Sequence, residues 1–156
     1  MNKKGFTLVE LLAVIVILAI ILVIAVPNVL GIINKSRNDS FISTARMMVS
    51  AARLKSSTDI KYAPESPGVG KLIPMNVLDL ENIQRDVDGG SYVVADSYVI
   101  VTNEAGVLNY YVTLIGSKRS ITLQASPDFT IDATYAPVVD PYAVDAIPGV
   151  TVEPVT

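Results

Sequence analysis

GFTLVELLAVIVILAIILVIAVP, Gly5 to Pro27, holds a single charge, the carboxylate of Glu10, at the mouth of an aliphatic run. The sixteen residues Leu11–Val26 are all Leu, Ile, Val or Ala, and no charged side chain follows until after Asn34. About twenty apolar residues at 1.5 Å each cross a hydrocarbon core of roughly 30 Å. With Phe6–Val9 before it and Val29–Ile33 after it, the run is long enough to span a bilayer. A cleaved secretory signal would need a shorter core and a small-residue cut site, and Ala25-Val26-Pro27 is a poor one. The reading is therefore a membrane helix that stays. Glu10 then needs an explanation, because a charge within the bilayer costs about 2.5–3.5 kcal/mol even on the lenient insertion scale.

Working outward, Lys3-Lys4-Gly5 precedes Phe6-Thr7-Leu8-Val9-Glu10-Leu11-Leu12. This order resembles the class III leader and mature start of type IV pilins and their pseudopilin relatives: a short basic leader, Gly, Phe, then Glu four residues beyond the Phe. Pro27 falls where many of these proteins carry a helix proline. The specific likeness covers about the first thirty residues. A second proline that many pilins carry further along is absent, with Met47 in that region, and so is their C-terminal Cys pair.

The resemblance implies a membrane peptidase that cuts between Gly5 and Phe6 on the cytoplasmic side and methylates the new Phe6 amine. Glu10 lies one helical turn further in, on the same side as that terminus. In a stack of parallel helices its carboxylate pairs with the Phe6 amine of a neighbour, and such a pair contributes register more than strength. Loss of Lys3 and Lys4 removes positive charge that holds the N-terminus in the cytosol. Pro27 cannot donate to the Val23 carbonyl, so a kink or loosening is expected there; in the family, the segment around the residues matching Pro27 and Gly31 unwinds on entry into the fibre.

Of the 156 residues none is Cys, so no disulfide braces the exported part, which suits a Gram-positive member of the family. Removing the leader's two lysines takes the formal charge from −3 to −5, and no basic surface for nucleic acid stands out.

Beyond the span, Phe41, Ala45, Met48, Val49 and Ala52 form one apolar helical face. Lys35, Arg37, Arg46, Arg53, Lys55 and Lys61, against Asp39 and Asp59, lie off that face and are read as solvated rather than as a lipid-binding stripe. The helix is expected to stop near Tyr62, ahead of Pro64, Pro67, Gly68 and Gly70. Val77, Leu80 and Ile83 suggest a helical turn within Lys71–Asp88. Runs with strand composition follow at Ser91–Thr102, Val107–Ile115 and Ser120–Ala125, joined by loops of hairpin length. Packing this meander on the Phe41–Ala52 stripe predicts an α+β fold: a long N-terminal helix on a small antiparallel sheet, as in pilins. The expected divisions are leader 1–5, filament-core helix 6–33, amphipathic helix 34–62, connecting loop 63–90, meander 91–125 and a Pro/Asp-rich segment 126–156.

That last segment holds Pro127, Pro137, Pro141, Pro148 and Pro154, with Asp128, Asp132, Asp140, Asp145 and Glu153. Tyr135, Tyr142 and several valines make it too apolar for a disordered tail; an irregular cover with short strands is expected. Its acids match no EF-hand spacing, so solvated carboxylates are preferred to a calcium site and no metal or cofactor is expected. With neither His nor Cys, and no G-x-S-x-G, no enzyme is expected. The sequons at Asn34 and Asn38 are read as chance.

The resemblance thus implies a filament subunit that partners itself, other pilins, a prepilin peptidase/methyltransferase, assembly machinery and the membrane. It would be held as a single-pass membrane protein with a cytoplasmic N-terminus before polymerising outside the cell. The competing readings are a pseudopilin of a type II secretion or DNA-uptake system and, from another class, a signal-anchored surface binding domain.

Overall fold

The computed structural model describes residues 5–80, 83, 85–131 and 147–155. Helix α1 runs from Leu8 to Thr58. The strands are β1 (Val69–Pro74), β2 (Tyr98–Glu104), β3 (Val107–Ile115), β4 (Ser120–Ala125) and β5 (Thr151–Pro154), in one sheet ordered β4-β3-β2-β1-β5. The chain divides into two compact units, Met1–Arg37 and Asn38–Thr156.

Among the described residues of the first unit, nothing is packed against the helix. None of residues 5–37 is buried, and the most apolar 18-residue window has a mean hydropathy of 3.4. Left in water, so much aliphatic surface would be strongly unfavourable at about 25 cal/mol per Å². A lipid environment or other helices must therefore cover it.

In the second unit the sheet is antiparallel except at β5, which runs parallel to β1. It is an α+β, pilin-like fold. Because strand side chains alternate between faces, each strand feeds two apolar layers. Ile73, Val99, Val101, Val112, Leu114 and Ile121 meet Phe41, Ala45, Met48 and Ala52 of α1. On the opposite face Leu72, Tyr98 and Ile100 are covered by Ile147. Two polar contacts add specificity to the helix–sheet layer: Tyr92 Oη donates to Thr44 Oγ1 at 3.3 Å, and Tyr110 Oη lies 3.5 Å from Ser56 Oγ. Burial pushes the Tyr92 phenol up, since a buried phenolate loses its hydration.

The structure departs from expectation at several element boundaries. The α-helix stops at Thr58 rather than near Tyr62: Asp59 caps a separate 3₁₀ turn, Ile60–Tyr62, accepting from Lys61 N at 3.0 Å. The stretch expected as a connecting loop contains β1, and the turn suggested around Val77–Ile83 is a 3₁₀ turn at Met75–Val77. The first expected strand is shorter, with a 3₁₀ turn at Val94–Asp96 before Tyr98. Strand β5 is a short strand in the proline-rich segment, whereas Asp132, Tyr135, Pro137, Asp140, Pro141, Tyr142 and Asp145 lie outside the described residues.

A buried polar clamp joins α1 to two loops. Arg119 donates to Asp88 through Nε at 2.8 Å and Nη2 at 2.9 Å, and through Nη1 to Asn38 Oδ1. The Asp88 side chain is 1% exposed. Nearby, Asp86 Oδ2 accepts from Ser117 N at 2.8 Å and Ser117 Oγ at 2.5 Å. Gly116 sits where a Cβ would come within 2.8 Å of the Phe41 ring, so only glycine allows this approach. Two exposed pairs also bridge elements: Lys55–Asp79 at 2.5 Å and Lys71–Glu153 at 2.7 Å. Hydrogen bonds to these carboxylates raise both ammonium groups above their ordinary range.

The β2–β3 connection is a two-residue turn with Ala105 at φ 51° and Gly106 at φ 88°. Both positive angles match a type I′ turn, which favours Asn-Gly. A non-glycine residue in the left-handed region costs roughly 1 kcal/mol, less for Asn. Ala105→Asn is accordingly expected to stabilise the protein by about 0.5–1 kcal/mol, read as a higher denaturation midpoint of the detergent-solubilised chain. An unchanged or lower midpoint would contradict the turn assignment.

Candidate processing and assembly site

The helix starts one residue after Thr7, and the reason is local. Thr7 Oγ1 accepts from Glu10 N at 3.3 Å, while Glu10 Oε2 accepts from Thr7 N at 2.8 Å and Thr7 Oγ1 at 2.9 Å. This is a capping box, in which residues three apart satisfy backbone donors that the first helical turn leaves open. The carboxylate also complements the positive end of the helix dipole. Both bonds fall on Oε2; among the described residues Oε1 has no hydrogen-bond partner.

Gly5 and Phe6 precede the helix. Phe6 is 88% exposed, and among the described residues no atom beyond the chain neighbours lies within 4 Å of where a Gly5 Cβ would be. The Gly5–Phe6 peptide bond is therefore in open, non-helical chain, the form a peptidase needs to bind an extended backbone. Lys3 and Lys4 lie outside the described residues.

Pro27 lies inside α1 and does not end it. It cannot donate to Val23 O, and one position on, Asn28 Nδ2 donates to Ile24 O at 3.1 Å. A polar amide thus supports the carbonyl row beside the missing bond. Sequence reasoning overlooked Thr7 and Asn28. Thr7-x-x-Glu10 is a legible capping signature, which a reading of Glu10 as a partner for another subunit passes over.

A family model for the prokaryotic N-terminal methylation motif matches residues 1–26. These residues carry a class III prepilin motif. No curated protein and no solved structure matches the chain. The prepilin motif implies processing by a prepilin peptidase. With the apolar helix behind it, it fits a membrane-anchored prepilin. It also points to a structural subunit of pilin-like type rather than to an enzyme. Of the candidate residues, Gly5, Phe6 and Glu10 fall within six positions of one another inside the prepilin motif, whereas Pro27 lies just past the matched span.

Proposed function

We propose that the protein is a structural subunit of a type IV pilus-like extracellular filament, serving adhesion, motility or surface attachment. It is inserted as a prepilin with its N-terminus in the cytoplasm, cut after Gly5, methylated on the Phe6 amine and polymerised through α1. The observation that carries this reading is the methylation motif running directly into an uncovered apolar helix. Hydrolysis of the Gly5–Phe6 bond creates an amine one turn from Glu10. Glu10 keeps Oε2 on Thr7 and offers Oε1 to the amine of an adjacent copy, which sets the axial register. Pro27 gives the core helix a point with one backbone bond fewer, where it can adjust to its neighbours.

The deciding experiment is mass spectrometry of the N-terminal peptide from protein sheared off the cell surface. The expected peptide starts at N-methylated Phe6. An intact Met1, or a start beyond Ala25, would replace this reading with a signal-anchored or secreted domain.

A further inference from the structure

Two loops meet α1 where the second unit begins. Arg119 Nη1 donates to Asn38 Oδ1, and a Cβ on Gly116 would come within 2.8 Å of the Phe41 ring, three residues further on. Asp86 Oδ2 accepts from Ser117 N at 2.8 Å, which draws the loop of residues 85–90 to that of residues 116–119. Arg85 and Lys118 flank this contact, one residue before Asp86 and one after Ser117, and both are exposed. Among the described residues neither forms an ion pair.

Asn38 stands five residues beyond Ile33, the end of the apolar run. At a helical rise of about 1.5 Å per residue, that is about 7 Å of chain. A headgroup layer adds roughly 5–8 Å to each side of the hydrocarbon core. Groups held against Asn38 are thus within reach of the headgroups. Of the charges there, Arg119 is matched by Asp88, and Asp86 is 4% exposed. The exposed ones, beside Asn38 in the chain or in these two loops, are Lys35, Arg37, Arg85 and Lys118 against Asp39. The mature chain as a whole is acidic, at −5, so this end runs against the charge of the rest.

We propose that Arg85 and Lys118 form a contact surface for anionic lipid headgroups on the exported face of the membrane. Guanidinium and ammonium groups donate charge-assisted hydrogen bonds to phosphate oxygens. Each Lys or Arg held at an anionic surface favours it about fivefold. The two residues are 33 apart in sequence, and the bonds from Ser117 to Asp86 bring their loops together. Lipid is within reach of every membrane-anchored copy, whereas an acidic neighbour is present only after association. The contact therefore belongs to the stored subunit: it holds the domain to the bilayer and is given up when the subunit leaves. It rests on the membrane anchoring of α1 and stands whether or not the chain polymerises.

The test uses the full-length protein in nanodiscs of equal phosphatidylglycerol and phosphatidylcholine, with the lipids retained after release counted by native mass spectrometry. Phosphatidylglycerol is expected to be retained at least twentyfold over phosphatidylcholine. The double variant Arg85→Gln/Lys118→Gln should lower that preference at least tenfold with an unchanged thermal midpoint, since both side chains are exposed. Lys61→Gln, which removes an exposed lysine at the far end of α1, should keep it. Equal retention of the two lipids by the unsubstituted chain would overturn the proposal, as would an unchanged preference in the double variant. An equal loss from Lys61→Gln would reduce the effect to net charge and overturn it too. Displacement of the lipid by excess inorganic phosphate would replace it with a site for the free anion. Carbodiimide linkage of Lys118 to an acid of a second copy, without lipid preference, would replace it with a subunit contact.

Discussion

Replacing Glu10 by Gln is expected to lower the yield of sheared filaments more than a hundredfold while membrane insertion stays normal. Gln can still reach back to Thr7 N, so the capping box and the helix start survive. What disappears is the charge that the proposed assembly pairs with a neighbour's amine. Leaving one member of a desolvated ion pair without its partner costs about 3–5 kcal/mol. Thr7→Ala is the complementary change: it opens the box, costs about 1 kcal/mol of helix start and keeps the carboxylate. Its filaments should fall only a few-fold. Glu10→Val loses both functions and should still insert, since it removes a charge from the apolar segment. Normal filaments from Glu10→Gln would reduce Glu10 to a helix cap.

Arg119→Met should destabilise the second unit by about 3–5 kcal/mol, because Asp88, 1% exposed, would lose the guanidinium that grips both its oxygens. That is a large share of the 5–15 kcal/mol typical of a whole domain. Adding Asp88→Asn removes the buried charge and should restore at least half the loss. Denaturant midpoints of the detergent-solubilised single and double variants read this directly. A loss below about 1 kcal/mol for Arg119→Met would place the pair with ordinary surface ion pairs.

Legibility followed the range of the physical signal. Strands β3 and β4 could be read to the residue because β-branched and aromatic side chains fill them and short turns bound them. The buried stripe Phe41–Ala52 was equally plain, since helical periodicity is local. Strand β1 escaped notice because its six residues include Gly70 and Pro74 and sit among turn formers. Gly70 leaves little room there: a Cβ would crowd the Val150 side chain at 3.0 Å and Ile100 at 3.2 Å. Strand β5 is only four residues long and gains its meaning from β1 alone. The Asp88–Arg119 clamp joins residues 31 apart, and nothing in a one-dimensional pattern marks either as buried. At the candidate site the motif was legible throughout, but the tie between Thr7 and Glu10 required coordinates.

The parallel pairing of β5 with β1 has a kinetic side. Lys71 and Glu153, which seal it, are 82 residues apart. Loop-closure entropy must be met before so distant a contact returns any stabilisation, so this pairing should form last. Until residues 151–154 have paired with it, β1 presents an open hydrogen-bonding edge, the usual starting point for strand exchange and aggregation. A chain caught before that last pairing would therefore be sticky in a way that the finished molecule is not.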